Sequence, residues 1–394
     1  MTGLESLAKF RKLNKYISVD ENWEELLGFL PADYEELANV HRQLQVQYGN
    51  AKITTARELL RLILLHVGAG IGLRQTATLV GCSGGVSVSQ VTVHKKMRRA
   101  GPYLQALVHR MAGPSMAARA ELWDGYDIVA IDATTDSSPG SDGTDARLHT
   151  AIRLADLSVL FVEVTDQSGG ETLKRYPLHE GQLAVVDRGY STGPGIAVTV
   201  RNGADVLVRL NRGALPLYER EGEQVEVLER LRSLSGRRAE EWPVEIRTKD
   251  GDADVTIPGR LMAVRLPERE AEEARQRVRR EYGKDTTETM LEAAGYVALF
   301  TTVPATRLSA ARCIELYRLR WQVELLFKRW KSICGLDKLP NFRDDTIRAW
   351  ILAKVLLALV LDRMGSSGAE LFPPERLAMP DRWRKATKRD AVSL

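Results

Sequence analysis

The chain has 394 residues, 44% of them hydrophobic and 27% charged, with a net charge of +4 and a pI of about 8.9. That length and apolar share suit a soluble protein of two or three domains with ample core, and the mildly basic balance permits nucleic acid as a partner. The three scattered cysteines, Cys82, Cys313 and Cys334, exclude a C-x2-C zinc module and read as reduced thiols of a cytoplasmic protein. The longest apolar run, Ala349 to Leu361, is interrupted by Lys354 and too short to span a bilayer.

Residues 1–120 read as mostly helical. Thr54 or Thr55 caps a helix continuing as ARELLRLILLHV to about Val67, and the Gly68 to Gly72 stretch ends it. A short helix, LRQTATLVG, stops at Gly81. After Gly84 and Gly85 a further helix is expected over SVSQVTVHKKMRRA. A short helix, a Gly-containing turn and a basic helix fit a helix-turn-helix, although the turn is longer than usual. Charge agrees: residues 91–120 hold Lys95, Lys96, Arg98, Arg99, Arg110 and Arg119 and no acid, whereas Asp20, Glu21, Glu24, Glu25, Asp33, Glu35 and Glu36 gather near the start. The other reading is an ordinary helical bundle with a basic surface.

Over residues 121–212 the pattern turns to α/β. Strand-like runs are YDIVAID, RLHTAIRLA, LSVLFVEVTD, QLAVVD and ADVLVRLN, with GETLKRYPL as a short helix. The Ser- and Gly-rich SSPGSDGTD reads as a hairpin connection, which also accounts for Asp136, Asp142 and Asp145. Residues 213–295 read as a β-rich insertion with one solvated helix, EREAEEARQRVRREYG, and Trp242 as one side of an amphipathic strand. Within residues 296–364, YVALFTTVP is the last core strand. A single helix is expected over Ile314 to Lys331, and an apolar helix over Asp345 to Met364 is expected to lie under the core. Residues 365–394 form a basic tail carrying Arg382, Arg384, Lys385, Lys388 and Arg389.

Chemistry is concentrated at three places. Asp132 and Asp187 each end an apolar strand-like run, at the rim of a sheet where open α/β folds place their sites. On an α-helix, Tyr317, Arg320, Glu324, Lys328 and Lys331 fall within an arc of roughly 80°, beside an apolar stripe. Asp132, Asp187 and Glu324 together would suit hard divalent cations, and two such ions clamp both oxygens of a phosphoryl transfer. Taken singly, the aspartates also read as turn or cap residues, and the helix face as a solvated stripe of i,i+4 pairs. A haloacid-dehalogenase-like loop at DATT is disfavoured, because Thr134 stands where its second Asp belongs.

Three blocks in order, DATTDSSPGSDGTDARLH from Asp132, DRGY from Asp187 and Tyr317-x2-Arg320-x3-Glu324-x6-Lys331, resemble the DDE transposases of bacterial insertion sequences, in the YREK-signature (IS-four) group. The resemblance covers roughly residues 120 to 340. It implies a ribonuclease-H-like core interrupted by a β-rich insertion, with a mostly helical N-terminal DNA-binding region and a helical C-terminal segment. It also implies Asp132, Asp187 and Glu324 as catalytic ligands of Mg2+, with Mn2+ as substitute. Tyr317, Arg320 and Lys331 would then contact DNA, with Arg188 and the α-helical Lys95, Lys96, Arg98 and Arg99 as further DNA-binding residues. The implied partners are double-stranded DNA (terminal repeats and target) and a second copy assembled on it, in a bacterial, nucleoid-associated setting. A ribonuclease-H-like nuclease without strand transfer and a domesticated DNA-binding protein are the alternatives.

Overall fold

The computed structural model describes residues 19–41, 53–82, 86–113, 123–141, 143–234, 236, 238–340 and 344–367. It divides into two compact units. One comprises the chain up to Met111, Ile333–Leu336 and the chain from Asp345. The other comprises Ala112–Ser332 and Asp337–Asp344.

The first unit is helical: α1 Val19–Leu27, α2 Tyr34–Val40, α3 Ala56–Ala69, α4 Leu73–Cys82, α5 Gln90–Arg99 and α6 Gly101–Met111. Helix α3 starts at a capping box. The Thr55 hydroxyl accepts from Glu58 N–H and the Glu58 carboxylate accepts from Thr55 N–H, both at 3.1 Å. It ends at Gly70, whose φ of 62° is open to glycine at little cost. Ser89 caps α5, which buries Val93 and Met97 and leaves Lys95, Arg98 and Arg99 exposed.

The second unit is built on β1 Asp127–Asp136, β2 Ala146–Arg153, β3 Val159–Thr165, β4 Gln182–Val186, α7 Gly193–Arg201, β5 Asp205–Arg209, α8 Val227–Arg232, β6 Glu240–Asp250, β7 Ala253–Arg265, α9 Glu268–Tyr282, α10 Glu288–Ala293, β8 Tyr296–Thr301, α11 Ala310–Leu319 and α12 Trp321–Cys334. Among the described residues the strands form one sheet in the order β3-β2-β1-β4-β5-β8-β7-β6. Strands β1, β4 and β5 are parallel. Every residue of β4 is buried, as a strand covered on both faces requires. The result is the mixed α/β core that the resemblance implies.

Three expectations change. The β-rich insertion is continuous with the core sheet, because β7 pairs with β8 and β6 extends the same sheet. Its VLERLR segment is helix α8. The single helix over Ile314 to Lys331 is instead two, α11 and α12, meeting at Arg320. There the Arg320 N–H bonds the Tyr317 carbonyl and the Val323 N–H bonds the Arg320 carbonyl, a tightened 3-10 pattern without Gly or Pro. Finally, the apolar helix α13, Asp344–Ser367, groups from Asp345 onward with the N-terminal helices rather than with the sheet's unit. Trp350 stacks edge-on to His66, and the Arg363 guanidinium donates to the carbonyls of Phe29 and Met111. Lys354, buried within α13, donates to the carbonyls of Cys334 and Gly335, which resolves a charge inside an apolar run. No described helix is long and apolar enough to cross a membrane. The basic tail beyond Ser367 and Asp142 lie outside the described residues.

Two stability predictions arise from the sheet. A Cβ on Gly259 would stand 2.5 Å from the Phe300 ring and 2.7 Å from the Thr301 carbonyl oxygen. Gly259→Ala is therefore expected to cost about 1–3 kcal/mol, read as a lower urea midpoint. His149 on β2 is fully buried, and its Nε2 is 2.9 Å from the Thr165 hydroxyl. Burial, and then the charges of Arg175 and Arg147, push it down to about 4. Its folded value lies below its unfolded one, so its contribution is whole above pH 6.5 and is lost as pH falls toward 4. That loss is on the order of 3 kcal/mol. The pH dependence of the urea midpoint across that window should differ between wild type and His149→Gln by the part due to this residue.

Candidate active site

Strand register gathers the acids. Strands β1 and β4 pair in parallel up to Ile131 and Val186, and β4 and β5 up to Val186 and Val208. The next residues, Asp132, Asp187 and Arg209, therefore lie in a row where the parallel pairing ends, with neighbouring strands about 4.8 Å apart. Asp132 is not the end of its strand. Strand β1 runs on to Asp136, pairing only with β2 beyond that point, and Asp132 lies opposite Thr150.

Helices α11 and α12 bring the third acid. Arg320 Nη1 donates to Asp132 Oδ2 at 3.1 Å, and Nη2 donates to Glu324 Oε1 at 2.7 Å and stands 3.9 Å from Asp187 Oδ2. The Tyr317 hydroxyl donates to Asp187 Oδ1 at 3.0 Å. The Asp132 Oδ1 accepts from the Ala133 N–H at 2.9 Å. The Arg320 side chain is only 12% exposed, Asp132 18%, Asp187 40% and Glu324 43%. One face of the cluster is thus open to solvent.

Protonation follows this layout. Burial pushes Asp132 up to about 6; Arg320 and the Ala133 N–H oppose it, and the charges of Asp187 and Glu324 add to it. Burial also acts to raise Asp187, but Arg320, the Arg188 N–H, Arg209 and the Tyr317 hydroxyl outweigh it and hold it below the usual carboxylate value. Burial, then the charge of Asp187, push the Tyr317 phenol well up, so it remains a donor. Burial disfavours the Arg320 charge, but Tyr317 and the three acids more than compensate and raise its pKa.

The hub of the three carboxylates is therefore a guanidinium. Among the described residues, no group of three or more His, Cys, Asp or Glu side chains is close enough to hold a metal ion. The donor chemistry nevertheless fits a hard divalent cation: three carboxylates lie around one point, two of them about 40% exposed.

The other sequence candidates are dispersed. Lys331 Nζ pairs with Asp136 Oδ1 at 2.9 Å. Arg188 is held by the insertion helix α9, 3.4 Å from the Tyr282 hydroxyl and 3.6 Å from Glu281. Lys95, Lys96, Arg98 and Arg99 lie on α5 in the other unit, where Arg98 is 3.9 Å from Asp345. Trp242 packs against the sheet core, as an amphipathic strand residue does. Sequence reasoning passed over Arg209, the sixth residue of the run ADVLVRLN as Asp187 is of QLAVVD, and the register of β4 and β5 sets the two side by side. It also passed over Glu171, whose carboxylate lies over Gly189 and leaves no room for a Cβ there. Asp136 was placed in the hairpin; it is instead the buried last residue of β1. Asp145 does serve the hairpin, accepting from Ser138 N–H and the Ser141 hydroxyl.

A family model described as the Transposase DDE domain matches residues 123–361. The chain is 30% identical over 362 residues to InsL of insertion sequence element IS186A from Escherichia coli (strain K12), covering 90% of this chain and 96% of that protein. It is 30% identical over 363 residues to the transposase for insertion sequence element IS421 from Escherichia coli, with the same coverage of 90% and 96%. Similarity to the transposase for insertion sequence element IS231F from Bacillus thuringiensis subsp. israelensis is 24% over 238 residues, 55% of this chain and 47% of that one.

Proposed function

This chain belongs to the DDE transposase family, as a transposase of insertion sequence elements, and we propose that it cleaves DNA at the element's ends and joins them to target DNA by phosphoryl transfer. The observation that supports this most is the convergence of Asp132, Asp187 and Glu324 on Arg320 at one solvent-open edge of the sheet. Asp132, Asp187 and Glu324 would hold Mg2+, or Mn2+ in its place, and a bound divalent ion supplies Lewis-acid charge at the reacting phosphoryl oxygens.

The chain's own residues do the rest. Tyr317 fixes Asp187 by donating to its Oδ1. Arg320 balances the three acids, and its planar fork is shaped to hold the phosphate beside the scissile bond. Cleavage and joining are both in-line displacements at phosphorus, so one arrangement serves both.

The N-terminal region, residues 1–120, carries the contact to the terminal repeats in this reading, with the exposed side of α5 on the DNA backbone. Lys95→Ala and Arg98→Ala should each reduce the slope of log affinity against log salt by about 1, measured on end DNA. A second copy on the DNA accounts for cutting two ends together.

The test is incubation of the purified chain with labelled element ends, a target plasmid and Mg2+. Cut ends joined to the plasmid are expected. Cutting without joining would make it a nuclease. Binding without cutting would make it a DNA-binding protein that has lost the reaction.

A further inference from the structure

We infer that Asp136 is a positioning residue for the reaction: through Lys331 it fixes helix α12 against strand β1, so that Glu324 faces Asp132. This rests on the function proposed above, and it assigns a task to a residue that neither touches DNA nor binds the cation.

The geometry is a two-rung ladder. Asp132 and Asp136 are four residues apart on β1 and so point to the same face of the strand. Glu324 and Lys331 are seven apart on α12, two turns, and so share one helix face. Arg320 ties Asp132 to Glu324 at the first rung, and Lys331 ties Asp136 at 2.9 Å at the second. Four strand residues span about 13 Å and seven helical residues about 10.5 Å, so strand and helix can run alongside with both ties closed. The buried side chains Val323, Leu326, Phe327 and Trp330 seat α12, and two polar ties on the other face set its rotation and slide more narrowly than one.

The second rung is an expensive one to build. The Asp136 side chain is only 4% exposed, and its Oδ2 is buried with no hydrogen-bond partner among the described residues. Burial raises its pKa, Lys331 lowers it, and the charge of Asp337 raises it again. A buried ion pair is a weak source of stability next to a well-packed apolar pair, and its best-attested use is to fix register. Asp136 thus sets where the only helix-borne acid of the cluster is presented, and uses part of the Lys331 charge to do so.

The test is a double-mutant cycle on the full chain, with Asp136→Ala, Lys331→Met and both together. It is read by Mn2+ affinity in calorimetry without DNA and by single-turnover cleavage of end DNA. Asp136→Ala should weaken Mn2+ binding about tenfold, the usual scale for a group that orients a metal ligand, and slow cleavage with end binding unchanged. The double variant should bind Mn2+ no worse than Lys331→Met alone. Asp136→Asn, which keeps an oxygen for the ammonium, should recover most of the loss, and it carries the comparison should the alanine variant fail to fold. Unchanged Mn2+ affinity in Asp136→Ala, or losses that simply add in the double variant, would overturn the inference. Wild-type chain that binds Mn2+ and cuts nothing would instead overturn the function it rests on.

Discussion

Glu324→Gln is expected to lower end cleavage on the order of 10^3-fold while leaving end binding and fold nearly intact. A divalent ion is worth several kcal/mol at the transition state, and each 1.36 kcal/mol is tenfold in rate. Glutamine keeps the length and an oxygen to accept from Arg320 Nη2, but loses the charge that would hold the ion in the proposed reaction. The Glu324 side chain is 43% exposed, so its bond to Arg320 contributes little to stability. Loss of rate without loss of fold therefore isolates its chemical part. Gel assays of cleavage and of end binding, side by side, check this. Mg2+-dependent cleavage within about tenfold of wild type would remove Glu324 from the site.

Arg320→Ala is expected to be costly in a different way. It takes the shared counter-charge from three carboxylates, and breaking such a partly buried cluster costs about 3 kcal/mol. Asp132 already sits at about 6, above its unfolded value of 3.8. The folded chain thus holds a proton that the unfolded chain has released, and stability falls as pH rises from 3.8 through 6. Removing Arg320 deepens that fall. Without divalent ions, the variant should melt several degrees below wild type at pH 7.5, and the gap should narrow at pH 5. Added Mn2+ should narrow it as well, because the ion replaces the missing charge. A gap that ignores both pH and Mn2+ would show that Arg320 does not balance the acids.

The parts legible in the sequence are those that local pattern controls. The apolar runs before Asp132 and Asp187 became buried parallel strands, and Thr55 with Glu58 announced the start of α3. What depends on distant pairing was hidden. Nothing local tells that β7 joins β8, which turns the insertion into part of the core sheet. The break at Arg320 falls among good helix formers, so no Gly or Pro marks it; there the Arg320 guanidinium reaches three carboxylates. Asp136 was misread because the Ser, Pro and Gly that follow it look like a loop, whereas the Lys331 that pairs with it is far away in the chain. Lys354 looked out of place in an apolar helix until the carbonyls of Cys334 and Gly335 were seen to receive it. The helix face carrying Tyr317, Arg320, Glu324 and Lys331 was visible, but its occupants were expected on phosphates. In the structure Tyr317, Arg320 and Lys331 each meet a carboxylate first.

The most direct measurement is an anomalous difference map from crystals of this chain grown with Mn2+. The expected result is a peak between Asp132, Asp187 and Glu324, with the Arg320 guanidinium displaced from its bonds to Asp132 and Glu324. Arg320 still bridging those acids, with no peak among them at saturating Mn2+, would contradict a metal-dependent site at this edge of the sheet.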